Sequence, residues 1–349
     1  MPRLSRRLLS NVAGVVALLG VLLIAGHVVG ADVRRATSPV TAPPGEPADR
    51  SPTLPSPQAP VAARVDLGGP VDAVAVGRGA VWAAHDCTVS KVDPKTNRVV
   101  ATIAGTGPWQ ACVTGLAVGG GAVWGAVAGV GLARIDPQTN EVVATVPIGP
   151  VPASVAVGGG AVWTACCAET STPGRIMLIR VDPESNRVVA RIPLRGSLPA
   201  AVGVGPSGVW VVGERLAGQR LWRVDPTTNR VSASVALPDD IGAGGSILVG
   251  ADVVWLTSWG GNDPMVQVRP RGARVTVRLV EAGSGGLVPV HGVVWSTFAG
   301  WLLRVDPDGT HAIPLDVGST VVNGLAVSPE ALWVAAPTGL FRIDPSRLH

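Results

Sequence analysis

Tyrosine is absent from this chain of 349 residues and phenylalanine occurs twice, so aromatic packing falls almost entirely to 11 tryptophans. Helix-forming residues are scarce, and lysine stands only at Lys91 and Lys95. No G-x-S-x-G elbow, H-E-x-x-H helix or C-x-x-C pair occurs, which removes the local signatures of serine hydrolases, zinc proteases and dithiol redox sites. Charge is lacking where a nucleic-acid binder would need it. The whole chain is +4, but residues 1–60 hold six Arg against Asp32, Glu46 and Asp49, leaving 22 basic and 21 acidic residues, or +1, in residues 61–349. A nucleic-acid partner is therefore not expected, because the basic excess flanks an apolar run instead of clustering on the folded part.

That apolar run opens the chain. Arg3, Arg6 and Arg7 precede an apolar stretch from Val12 to Ala31. It is long enough for a bilayer at about 20 residues, and it also fits a signal peptide with a small-residue cleavage site after Ala31. His27 stands where a lipobox would need cysteine, so lipidation there is excluded. Residues 1–31 are thus expected to be a signal anchor or signal peptide. From Asp32 to Pro60, 8 of 29 residues are Pro and 6 are Ser or Thr, a composition that stays extended. Residues 32–60 are expected to form a stalk, placing residues 61–349 outside the cytoplasm on a single-pass tether, or in secreted form if the signal is cleaved.

The remainder repeats itself. "GGGAVW" occurs at Gly119–Trp124 and again at Gly158–Trp163, and Val-Trp or Leu-Trp recurs at Trp82, Trp124, Trp163, Trp210, Trp255, Trp295 and Trp333, at spacings of 42, 39, 47, 45, 40 and 38. Each Trp is followed 11 to 19 residues later by Asp-Pro, at Asp93, Asp136, Asp182, Asp225, Asp306 and Asp344, or by Arg269-Pro270 in the fifth copy. Four of these continue to a Ser/Thr-Asn pair. Asp accepts from turn amides, Pro presets φ and Asn tolerates the left-handed region, so "VDPKTNRVV" is a tight reversal. Short β-branched runs lie between the markers, four strands per copy.

A unit of about 40 residues with four strands is one propeller blade, stable only between neighbours. Seven copies predict an all-β, seven-bladed β-propeller. "ARVDLGG" at Ala63–Gly69 has an outer-strand pattern but precedes the first inner strand, while the last copy stops at "LFRIDPSRLH". The N-terminal strand near Val65 is expected to close the last blade beside Phe341. The glycines then belong to the hairpin between inner and second strands, where φ > 0 is needed and a Cβ would clash. The single G-x-G-x-x-G, Gly203–Gly208, runs into the strand-like "VWVVG" and not a helix, so it is no dinucleotide loop. The repeated tryptophans are expected to fill the gaps between blades.

The repeats "VGRGAVWAA…VSKVDPKTNRVVATI" and "VGGGAVWGA…LARIDPQTNEVVATVPIG" resemble the bacterial YVTN-type β-propeller repeat family and the streptogramin lyase-like propellers. The resemblance covers residues 61–349. It implies the fold, and a superfamily that spans binding proteins, sensor domains and a few enzymes. Its lyases and lactonases are similar in using metal-binding carboxylates with His at the tunnel mouth. Few such residues stand here. His27 lies in the apolar segment, His349 is terminal, His291 occupies a shortened turn and His311 begins an outer strand; only His85 in "AAHDCT" is placed where loops face the mouth. No catalytic residue, metal or cofactor is assigned. The expected role is binding a protein, peptide or glycan without catalysis as a monomeric propeller, with a metal-dependent lyase or lactonase as the alternative.

The loops joining outer to inner and second to third strands gather the candidate ligand residues: Asp72, His85, Asp86, Trp109, Asp239, Asp240, Trp259, Asn262, Asp263 and Glu281. Loop aromatics beside carboxylates suit a sugar, peptide or cation; the competing reading is that they cap the tunnel. The cysteines, Cys87, Cys112, Cys166 and Cys167, fall on the same expected face, and an even count outside the cytoplasm favours disulfides. Cys87 with Cys112 is expected; the adjacent Cys166 and Cys167 can form a strained ring, pair with partners elsewhere or remain thiols, and the ring is the favoured reading. Their spacing with His85 lacks a paired zinc-ligand signature.

Overall fold

Burial on both faces explains the second strands: Ala80–His85 and Ala122–Val127 are buried at every position, and both read as apolar runs, the first ending on His85. Outer strands such as Glu141–Val146 and Arg187–Arg195 alternate instead between exposed positions and half-buried or buried ones, as a strand with one wet face must. A computed structural model describes residues 61–104, 112–149, 152–167, 175–196, 198–215, 218–238, 243–258, 265–271, 274–280, 286–290, 292–298, 300–306 and 309–347. The expected signal segment and stalk, residues 1–60, lie outside them. Among the described residues no helix is long and apolar enough to cross a membrane.

The strands form seven antiparallel sheets of four. Six follow chain order from inner to outer strand. In the seventh, Val61–Val65 adds to Gly339–Ile343 as the outermost strand, with Arg64 opposite Phe341 and Val65 opposite Leu340. The inner strands are Val71–Gly77, Val113–Gly119, Pro152–Gly158, Leu198–Gly205, Ala243–Val249, Val288–Val290 and Gly324–Ser328. The architecture is a seven-bladed β-propeller. Blades are numbered here by inner strand, so the N-terminal strand belongs to blade 7.

Each repeat tryptophan packs into the blade after its own. Trp82 clusters with Val123, Ala133 and Ile135 of blade 2, Trp124 with Val162 and Ile179 of blade 3, and Trp333 of blade 7 with Val71, Val81 and Val92 of blade 1. The five fully buried repeat tryptophans keep a partner for the indole N–H: Trp82, Trp124 and Trp163 donate to Gly77 O, Gly119 O and Gly158 O at 3.2, 3.3 and 3.0 Å, and Trp210 and Trp333 to Ser207 Oγ and Ser328 Oγ at 3.1 and 3.3 Å.

The triple glycines divide their work. Gly120 and Gly121 hold φ of 56° and 84°, and Gly159 and Gly160 hold 59° and 73°, as a two-residue hairpin of the type matched to strand twist requires. The first glycine of each triplet serves a different purpose. A Cβ on Gly119 would lie 2.6 Å from Val157 Cγ1, one on Gly158 2.7 Å from Val204 Cγ1, and one on Gly77 2.6 Å from Val118 Cγ1. In each case the contact comes from the inner strand of the following blade.

The Asp-Pro turns form as their residues dictate. Asp93, Asp136, Asp182 and Asp225 each accept at Oδ1 from the amides two and three residues on, and Asn97, Asn140, Asn186 and Asn229 take φ of 56° to 59°. A cation from the preceding blade grips three of these turns, those of blades 2, 3 and 4. Lys91 Nζ lies 5.3 Å from the Trp82 ring centroid and donates to Pro137 O and Asn140 Oδ1 at 2.7 and 3.1 Å. Arg180, over Trp163, donates to Pro226 O and Asn229 Oδ1 at 2.8 and 2.9 Å. Arg134, over Trp124, donates to Asn186 Oδ1 at 3.2 Å.

Candidate functional site

Three expected ligand residues come together where blade 1 meets its loops. Asp72 is the second residue of the blade 1 inner strand, while His85 ends the second strand directly opposite Val71. Asp86 follows in the hairpin that leads to the third strand. That hairpin has two residues, because His85 pairs with Thr88, and both are left-handed: Asp86 at φ 43° and Cys87 at 58°. Two consecutive non-glycine residues in this region cost about 1–2 kcal/mol each. They are held by the Cys87–Cys112 disulfide, which spans 25 residues and ties the hairpin to the entry of the blade 2 inner strand.

His85 departs from expectation in one respect. Placed by the sequence among loop residues facing the mouth, it is 7% exposed and its ring is braced from inside the blade. Nε2 lies 2.8 Å from Ser90 Oγ and 3.2 Å from Thr88 Oγ1. The Thr88 hydroxyl donates to His85 O at 2.9 Å. Nδ1 of His85 is buried and has no hydrogen-bond partner, with Asp86 Oδ2 at 3.9 Å.

The carboxylates bear on one another. Asp72 is open to solvent, yet its pKa is raised: partial desolvation contributes most and the Asp86 charge next, while His85 opposes them. Asp86 also fills the space over Gly69 in the loop from the N-terminal strand, where a Cβ would collide with Oδ2. Glycine at that position is what lets the carboxylate approach the backbone. Asn323 of blade 7 donates from Nδ2 to Val71 O at 2.8 Å, fixing the strand end beside Asp72. The site thus draws on blade 1, the loop after the N-terminal strand and blade 7.

Trp109, Asp239, Asp240, Trp259, Asn262, Asp263 and Glu281 lie outside the described residues. Sequence reasoning missed Ser90, Thr88, Asn323 and Gly69. A polar residue at a buried alternation position of "TVSKV" was a readable signal for Ser90, which is 1% exposed; Asn323 lies 252 residues along the chain from Val71 and carried none. Cys166 is buried and its Sγ donates to Ile148 O at 3.4 Å. The expected ring with Cys167 rests on a side chain outside the described residues. Among the described residues no three His, Cys, Asp or Glu side chains converge as a metal-ligand set.

No family model matches the sequence, and no curated protein matches it. Its likeness to solved structures is one of fold. A chain of Kuenenia stuttgartiensis hydrazine synthase is 12% identical with TM-score 0.66, covering 81% of this chain and 97% of that one. A chain of a mitotic checkpoint complex is 14% identical with TM-score 0.67, covering 90% and 100%. Virginiamycin B lyase from Staphylococcus aureus is 17% identical with TM-score 0.65, covering 80% and 97%. At such identities the likeness shows a β-propeller shared by proteins of unlike activity.

Proposed function

We propose that this chain is an extracytoplasmic, membrane-tethered propeller that binds a peptide or glycan on its loop face, with a hydrogen-bond donor or cationic group of the ligand seated among Asp72, His85 and Asp86. One observation carries this reading: the buried Nδ1 of His85 has no hydrogen-bond partner in the protein and lies 3.9 Å from the Asp86 carboxylate, which also acts on Asp72. A buried polar atom left unpaired costs about 1–3 kcal/mol, which a polar group of a ligand would offset. The hairpin that carries Asp86 is locked in advance, so little ordering is lost on binding. The disulfide supports an oxidising compartment, in keeping with the N-terminal apolar segment and stalk.

Peptide and glycan arrays probed with the full chain, followed by titration of the hits, test the assignment. Asp72→Asn and Asp86→Asn should each weaken the selected ligand at least tenfold, and hits bound equally by parent and both variants would overturn it. A metal-dependent lyase or lactonase is the second reading, favoured by an unpartnered histidine nitrogen at a site with a carboxyl of raised pKa. Turnover that disappears together with a bound divalent metal in Asp86→Ala would reverse the order of the two.

A further inference from the structure

Blade 1 carries a cysteine where the backbone asks for glycine. Its second and third strands are joined by Asp86 and Cys87, both left-handed at φ 43° and 58°. A two-residue hairpin of this type favours Asp-Gly, because glycine takes a left-handed conformation without steric cost. Blade 6 follows that rule: between Phe298 and Trp301 its two-residue hairpin has Gly300 in the second position, at φ 84°. In blade 1 the bond to Cys112 holds Cys87 in the glycine position, and Cys112 is itself fixed to blade 2, where Ala128 N donates to Cys112 O at 3.3 Å.

The bond is open to attack. Cys112 is exposed and Cys87 half-buried. Exposed disulfides whose cleavage relieves strain are the labile ones, and here the strain lies in the backbone of the hairpin. Neither blade needs the bond for its pairing, since the four strands of blade 1 and the four of blade 2 are joined by backbone ladders. What the bond holds is one wall of the Asp72 site. Asp86, the neighbour of Cys87, lies 3.9 Å from His85 Nδ1, packs over Gly69 and acts on Asp72.

We propose that Cys87–Cys112 is a thiol-exchange site that switches the loop-face binding site. Intact, the bond holds the Asp86 carboxylate beside His85; reduced, it lets the hairpin leave its left-handed turn and withdraws that carboxylate. The co-reactant is a dithiol. Its first thiolate attacks Sγ of Cys112, forming a mixed disulfide and releasing Cys87; its second thiolate then displaces Cys112. Two electrons pass to the protein, the released cysteines take up the two protons that the dithiol gives up, and the dithiol ends as its own disulfide. The effect on a ligand rests on the reading of Asp72, His85 and Asp86 as a binding site, whereas the exchange and the response of the hairpin do not.

The test is titration of the full chain in detergent with dithiothreitol, read by mass mapping of alkylated thiols and by amide exchange. Cys87 and Cys112 should become alkylated together, and the amides of Asp86 and Cys87 should exchange at least tenfold faster, while the blade 4 strand Gly208–Arg215 keeps its protection. Cys87→Gly with Cys112→Ser supplies an Asp-Gly turn that needs no clamp, so it should keep the slow exchange of the oxidised parent with or without dithiothreitol. Cys87→Ser with Cys112→Ser should exchange like the reduced parent. Array hits of the oxidised chain should be lost from the reduced chain and the serine pair, and kept by the glycine variant. A bond that resists dithiothreitol, unchanged hairpin exchange after reduction, or equal exchange in the two variants would overturn the switch. Loss of protection in blade 4 as well would make the bond a structural staple and overturn it too. Hits retained in full by the reduced chain would overturn the gating; hits absent already with the oxidised chain would overturn the binding assignment and the gating with it.

Discussion

Lys91 Nζ and Asn140 Oδ1 are 3.1 Å apart across the seam between the first two blades, 49 residues apart in the chain. The same ammonium reaches Pro137 O at 2.7 Å and lies 5.3 Å from the Trp82 ring centroid. One side chain thus joins two repeat markers of different blades, the tryptophan of its own and the Asp-Pro turn of the next. Arg134 and Arg180 repeat the arrangement at the following two seams.

Removing the charge while keeping the stem isolates this contact. Hydrogen bonds to charged groups contribute about 1.5–3 kcal/mol, and partial exposure puts Lys91→Met at the lower end, about 1.5 kcal/mol. The expected result is a lower urea midpoint with an unchanged slope. An unchanged midpoint would mean that neither the hydrogen bonds of the ammonium nor its stacking on Trp82 contributes to the seam.

The two kinds of glycine in each triplet separate by substitution. Gly119→Ala puts a methyl 2.6 Å from Val157 Cγ1 and 2.9 Å from its Cβ, so overpacking should cost about 1–3 kcal/mol. Gly160 faces open space at φ +73°, where asparagine is tolerated; Gly160→Asn should stay within about 0.5 kcal/mol of the parent. Thermal denaturation of both variants checks the contrast, and equal losses would refute it.

The Cys87–Cys112 bond closes a loop of 25 residues, so on the loop-entropy account Cys112→Ser should cost about 3 kcal/mol. It should also expose the Asp86–Cys87 hairpin to faster amide exchange than the corresponding Gly129 turn of blade 2. Mass mapping of unreduced peptides is the companion measurement: a Cys87 peptide linked to the one holding Cys166 and Cys167 would refute the pairing.

Asp72 gives stability a pH dependence of unusual sign for a carboxylate. Its folded pKa is raised, so the folded state binds the proton more tightly than the unfolded chain, and its contribution falls as pH rises from the unfolded pKa through the folded one. Asp72→Asn should therefore be more stable than the parent at neutral pH and lose that advantage at acid pH, where both states are protonated. The turn aspartates act oppositely: backbone amides lower the pKa of Asp93, Asp136, Asp182 and Asp225, so their stabilisation is lost as pH falls through the folded values. Denaturation midpoints across pH for parent and Asp72→Asn show whether the first effect is separable.

Of the candidate site, the sequence exposed Asp72, His85 and Asp86 as loop-face residues because each stands at a fixed offset from a repeat marker. It did not expose that the His85 ring is turned inward. That depends on Ser90 and Thr88 reaching Nε2, a matter of side-chain geometry and not of spacing.

The sequence by itself determined the strand count, the blade number, the turns and the closing role of the N-terminal strand. All follow from period, alternation and turn chemistry, which act over a few residues and are written seven times. Tertiary structure alone decided what the blades do to one another. The first glycine of each triplet is required by a valine 38 to 46 residues away, Lys91 is held by a turn in the next blade, and Asn323 braces the strand end beside Asp72 from 252 residues along the chain. Such contacts leave no local pattern, because closing the ring sets their distances and no stretch of the chain carries that information alone.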